Sequence, residues 1–238
     1  MPRIFPRYCF TAALISVNLM LAAPARAEWA ALSWDACGAG VLAKTFSCES
    51  NTGQDRLVVS ALRDSVGELT QGYVCTVEIV FDGPAVPPWW HTSVGECRSR
   101  ELEAPAGSQP EDAQCHDEGN FAAGVLPNTY GPAANRLTVT FAGASPSEAR
   151  FVPHVESFVA ALRLGHAKSL GPGACSGCAT PACVILRSVE FFDSNHTDPV
   201  SMPIPDATSM LAWQGTLAHC IASPVRNWTW GSIKRLYR

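Results

Sequence analysis

Between Gly173 and Phe192 the chain reads GACSGCATPACVILRSVEFF. Cys175, Cys178 and Cys183 fall within nine residues and lead directly into the apolar run Val184–Phe192. Thiols this close to a strand-like segment are either cross-links or metal ligands. With His219 or Cys220 as a fourth ligand, the spacing would suit a closed tetrahedral zinc centre. A second C-x-x-C pair is missing, however, and the N-terminus directs the chain to an oxidising compartment. Disulfides are therefore expected, with no metal and no cofactor.

Residues 1–27 carry the export signal. Arg3 and Arg7 form a positive start, Phe10–Ala23 is uncharged and apolar, and Ala25-Arg26-Ala27 fits a cleavage site ahead of Glu28. The apolar stretch falls short of the roughly 20 residues that span a bilayer, so no transmembrane anchor is expected in the mature chain. Cleavage leaves nine cysteines: Cys37, Cys48, Cys75, Cys97, Cys115, Cys175, Cys178, Cys183 and Cys220. An odd count allows four bridges and one leftover thiol. Cys75 is the candidate for the leftover, because in Tyr73–Phe81 it shares the more apolar face with Tyr73, Val77, Ile79 and Phe81. The other eight are the bridge candidates. Cys37 with Cys48 and Cys97 with Cys115 would close local loops, and the cluster would pair within itself and send one link to Cys220.

The full chain has 17 basic and 21 acidic residues. Losing Arg3, Arg7 and Arg26 leaves 14 basic, a net charge of −7. Such a chain has no electrostatic attraction to nucleic acid or anionic lipid. Apolar–polar alternation marks strands with one buried face, most cleanly where Leu137, Val139 and Phe141 alternate with Arg136, Thr138 and Thr140. Leu57–Leu62, Tyr73–Phe81, Val184–Phe192 and Leu211–Leu217 read as further strands. Val155–Leu164 fits either a strand with Phe158, Ala160, Leu162 and Leu164 on one face or a helix with Val155, Phe158, Val159 and Leu162 on one side, and its strand-rich surroundings favour the strand. Asn51-Thr52-Gly53 and Ala142–Pro146 read as turns. The pattern predicts an all-β domain over 28–223, an antiparallel two-sheet β-sandwich of jelly-roll type, with a tail over 224–238.

Pro87-Pro88-Trp89-Trp90-His91 is the most conspicuous aromatic patch. Trp89 and Trp90 either form a flat stacking surface for a glycan or close the end of the core. Arg187 interrupts an apolar face, either as a bulge turned to water or as a cation at a ligand cleft. Asp193–Asp198 offers oxygen ligands but lacks the glycine and glutamate of a calcium loop, so a solvated turn is expected. Asn195-His196-Thr197 and Asn227-Trp228-Thr229 match the glycosylation acceptor pattern. No nucleophile elbow, H-E-x-x-H or P-loop is present. Glu78, Glu96, Glu118 and Glu190 are the acids from which a glycosidase carboxylate pair would be drawn.

Several segments, taken in order, resemble a group of secreted bacterial proteins: Leu32–Gly38, Trp89-Trp90, Gly95–Arg98, the CSGCATPAC cluster at Cys175–Cys183, Trp213-Gln214 and the ending W-G-x-I-K-x-L-Y-R. The resemblance implies export and a single all-β domain, and implies no activity. The tail combines Trp228, Trp230, Ile233, Leu236 and Tyr237 with Arg226, Lys234, Arg235 and Arg238, and a short amphipathic helix fits it. It would dock on the sandwich or be read by an export or envelope partner. The expected function is an exported binding or structural module with a glycan as ligand. The alternative is a secreted polysaccharide hydrolase.

Overall fold

The computed structural model of the protein describes residues 28–38, 40–64, 69–105, 115–117, 121–125, 129–131, 133–195, 199–205 and 209–222. The signal segment, Glu118, residues 196–198 and the tail over 224–238 lie outside these. The chain lays down β1 (Trp29–Trp34), β2 (Ala43–Lys44), β3 (Gln54–Leu62), β4 (Leu69–Phe81), β5 (Leu102–Glu103), β6 (His116–Asp117) and β7 (Ala122–Val125). After these come β8 (Thr129–Tyr130), β9 (Arg136–Arg150), β10 (Glu156–Gly165), β11 (Ala182–Phe192), β12 (Val200–Ser201), β13 (Met210–Trp213) and the helix α1 (Leu217–Ala222).

The strands form two sheets. The smaller runs β1-β3-β10-β5, with β6 beside β10. The larger runs β2-β13-β11-β4-β9-β7, with β12 on β11 and β8 on β9. Pairing is antiparallel except for two short parallel contacts, β6 with β10 and β2 with β13. The inner faces meet in one core. Tyr73, Cys75, Val77, Ile79 and Phe81 of β4 and Leu137, Val139 and Phe141 of β9 face Leu32, Leu57, Val59, Ala61 and Leu162 of the smaller sheet. Burial alternates along Tyr73–Ile79 of β4 and Arg136–Phe141 of β9, as expected where one face of a sheet is more buried than the other.

The structure departs from the strand pattern wherever an extra residue enters a ladder. On β10 the register steps between Phe158 and Ala160, so Val159 is inserted. Phe158 therefore leaves the face of Ala160 and Leu162 that the alternation gave it. It packs instead on the outside with Val58, Ala161 and Cys37. On β11 the step falls between Leu186 and Ser188 and turns Arg187 out to solvent. The expected turn at Ala142–Pro146 lies within β9, because pairing with β4 continues through Gly143 opposite Tyr73. A Cβ at Gly143 would collide with the Tyr73 ring, so glycine here serves close packing rather than chain reversal. The last predicted strand ends early. Gln214 takes φ 55 after Trp213, and Leu217 opens α1.

The four bridges are Cys37–Cys115, Cys48–Cys178, Cys97–Cys175 and Cys183–Cys220, and Cys75 is free and buried. The link from the cluster to Cys220 is present. The local pairs Cys37–Cys48 and Cys97–Cys115 are not, and no bridge forms inside the cluster. Cys175, Cys178 and Cys183 each reach a different part of the molecule, which spends all three thiols a zinc site would need.

Candidate functional site

The two ends of the sandwich differ. One gathers the ends of β1, β4, β10 and β13, and an aromatic plug fills it. Pro88–Trp90 forms a single 3-10 turn that swings both indoles inward, leaving Trp89 0% and Trp90 1% exposed. Trp213 lies at the centre, stacked on Trp89 at 5.5 Å and packed against Trp34 and Trp90 at 5.7 Å each. Trp89 Nε1 donates to Ser169 Oγ at 2.9 Å. Buried indoles present no face to a ligand, so Trp89 and Trp90 are core residues and not a glycan platform. A prolyl turn fixes where the chain bends, but whether the rings swing in or out depends on the space between the sheets.

Arg98 holds the plug. Its guanidinium lies 3.5 Å from the Trp89 ring centroid and donates to the carbonyls of Trp89 (2.8 Å), Ala167 (2.9 Å) and Gly165. Burial pulls its pKa down to about 10, opposed by Glu101, and it stays charged at neutral pH. Beside it His166 stacks on Phe46 at 3.8 Å and pairs through Nε2 with Asp55 at 2.9 Å. Lys44 joins Asp55 at 3.0 Å and also binds Asp35. Nδ1 of His166 faces the Thr52 carbonyl at 3.2 Å. The network ties Asp35, Lys44 and Asp55 to one another and, through His166, to the chain that follows β10. The Asp55–His166 pair has no signature in the sequence, because its members lie 111 positions apart.

Arg187 is exposed but engaged. With Arg136 it grips Glu78 on the outer face of the larger sheet, Arg136 Nη1 lying 2.6 Å from Glu78 Oε1. It is no cation at a cleft. The glutamates named for a carboxylate pair do not converge. Glu96 accepts from Tyr130 and from the Ser93 N–H at 2.8 Å. Glu190 stands opposite Val74, four residues along β4 from Glu78, or about 13 Å at strand spacing. Glu118 lies outside the described residues. Among those described, no group of three or more His, Cys, Asp or Glu side chains is placed to hold a metal ion.

At the opposite end the sheets part around a cleft of ≈ 430 Å³. Phe191 and Phe192 at the end of β11, Leu69 and Thr70 at the start of β4, and Val200 of β12 form its walls, and Glu148, Asp193, Ser194 and Asn195 its rim. Arg63 underlies it, 2% exposed, with its guanidinium 5.6 Å from both the Phe151 and Phe191 rings and Nη1 3.5 Å from Thr70 Oγ1. Asp193 Oδ1 accepts the Asn195 N–H at 2.9 Å. Asp193–Asp198 is the stretch expected to be a solvated turn, and its residues 196–198 lie outside the described residues.

The class defined by this architecture is a disulfide-linked two-sheet β-sandwich. No protein-family model matches the chain, and no curated protein matches it. Among solved structures it is similar to a type II cohesin domain from the cellulosome of Acetivibrio cellulolyticus, at 10% identity and a TM-score of 0.34, over 79% of this chain and 95% of that one. No residue role is carried over from it.

Proposed function

We propose that the protein is an exported, non-catalytic module that binds or builds at the cell surface or in the medium, with the open end of the sandwich as its working surface. The disulfide pattern carries this reading. Eight cysteines are joined across separations of 37 to 130 residues, and the ninth is sealed in the core. Such links form where thiols are not kept reduced. No helix among the described residues is long and apolar enough to cross a membrane. The apolar N-terminus and the resemblance to secreted bacterial proteins support the same reading.

Cell fractionation with alkylation of the unreduced protein tests it. The expected result is protein outside the cytoplasm with eight cysteines blocked. Cytoplasmic protein with reactive thiols would overturn the reading. The tail is proposed as a docking element for an export or envelope partner, since it follows a helix that the Cys183–Cys220 bridge pins to β11. Deleting Asn227–Arg238 should abolish export without lowering Tm. Normal export with lost stability would show that it packs on the sandwich instead.

One observation favours the hydrolase alternative: Glu148 and Asp193 line the same cleft. Against it, Glu148 is exposed and Asp193 spends an oxygen on the Asn195 N–H. Neither carboxylate has the apolar surround that a general acid needs. Reducing-sugar release from a polysaccharide, abolished by Glu148→Gln, would establish it.

A further inference from the structure

We infer that the two bridges at the plugged end form one thiol–disulfide exchange site. There a dithiol reductant converts Cys48–Cys178 and Cys97–Cys175 together into a single Cys175–Cys178 bridge and leaves Cys48 and Cys97 as thiols. This goes beyond the reading of the protein as an exported module. The pattern of burial carries it. Each bridge joins a half-buried cysteine to a buried one, Cys48 to Cys178 and Cys97 to Cys175. The two buried partners are the ends of the C-x-x-C stretch Cys175-Ser176-Gly177-Cys178. The chain turns over Ser176 and Gly177, with Gly177 at φ 94. A four-residue turn brings its first and last Cα within about 7 Å. A disulfide spans roughly 4.4–6.8 Å between Cα atoms, so the turn suits a direct link between its ends. Cys48 also sits at φ 61, a left-handed conformation that is costly for any residue with a side chain. Opening its bridge lets it relax.

The exchange balances. An external thiolate attacks the Cys48 sulfur, the bond to Cys178 breaks, and Cys178 leaves as a thiolate inside the fold. That thiolate attacks the Cys175 sulfur and forms the Cys175–Cys178 bond. Cys97 departs with the electron pair and takes a proton. The second thiol of the reagent then displaces Cys48 from the mixed disulfide, so the dithiol is oxidised to a disulfide and Cys48 is released as a thiol. Entry at Cys97 runs the same steps in mirror order and ends at the same product. Polar groups stand beside both departing cysteines. Gln214 Nε2 donates to Cys48 Sγ at 3.3 Å, and the Lys168 ammonium donates to the Cys97 carbonyl at 2.6 Å. The freed segments keep other ties. Gln214 bonds both backbone groups of Phe46, Asn51 Oδ1 accepts the N–H groups of Ser169 and Leu170, and Arg98 stays on the Trp89 carbonyl.

Titrating the purified, oxidised protein with dithiothreitol, trapping thiols with N-ethylmaleimide and mapping the bridges by mass spectrometry tests the inference. The Cys48–Cys178 and Cys97–Cys175 links should vanish in one step. In their place should stand maleimide on Cys48 and Cys97 and a Cys175–Cys178 link, with the far-ultraviolet dichroism of the sandwich unchanged. The inference is overturned if either bridge opens while the other stays linked, or if Cys175 or Cys178 takes the label in the folded protein. It is equally overturned if the two bridges open only as the dichroism is lost. In a Cys97→Ser/Cys175→Ser chain no second bridge receives the exchange, so Cys178 should take maleimide together with Cys48. Continued protection of Cys178 in that chain would mean that burial alone withholds it, against the relay.

Discussion

Glu78 is the clearest single residue whose ionisation feeds into stability. Burial by itself would push its carboxyl up, but the hydrogen bonds and charges of Arg136 and Arg187 outweigh burial and hold it below the ordinary 4.5. A carboxyl lowered by folding adds stability that is present above the unfolded value and fades as pH falls through the native one. Urea midpoints should therefore drop on acidification below about pH 4.5, and drop less in Glu78→Gln. Parallel curves for the two proteins would show that the pair contributes nothing, as many exposed ion pairs do. Gly143 offers a second residue-scale test. Gly143→Ala places a methyl group against the Tyr73 ring and should cost about 1–3 kcal/mol in chemical denaturation, the ordinary range for overpacking. Tyr73→Leu in the same chain should recover part of that loss, and additive losses would show that the two residues do not touch. Composition marked Gly143 as a turn former. Its place under a tyrosine became visible only when β4 and β9 were paired.

Among the elements, α1 and the 166–181 loop are both tied to the rest of the molecule by bridges. Cys183–Cys220 closes 37 residues and Cys48–Cys178 closes 130. Loop-closure entropy assigns them about 4 and about 5 kcal/mol respectively. Replacing Cys183 and Cys220 with Ala should free α1 to proteolysis while the sandwich stays folded, since α1 lies on the outer face with its own small cluster. Replacing Cys48 and Cys178 should lower the global transition, because that bridge spans the plugged end. Limited proteolysis and thermal melts distinguish the two, and equal global losses would contradict this division of roles. Strands were legible in the sequence where one face is wet and the other dry, as on β4 and β9. The phase was misread where a bulge shifted it, as at Val159, and β1, whose residues from Ala30 to Trp34 are all buried, was missed because both its faces are covered. Alternation cannot register a second covered face, because it records only contrast.

For the molecule as a whole, the asymmetry of its ends is the central feature. One end is packed with four tryptophans, a buried guanidinium and two bridges, and the other opens into a polar-rimmed cleft. Cys75 reports on the integrity of the core between them. Its thiol is pushed well up by burial. The unreduced mature protein should show no thiol reactivity until denatured, and then one reactive thiol per chain. Reactivity in the native state would mean that the sheets part at β4. The cysteine count and the period-two alternation were enough to indicate bridges and two sheets, because each can be read without knowing which distant residues meet. Which sulfurs meet, which way Trp89 and Trp90 turn and where a ligand fits all depend on residues far apart in the chain. Arg63, Glu148 and Asn195 share one cleft only because β3, β9 and β11 end at the same place in space, and no local pattern encodes that distance.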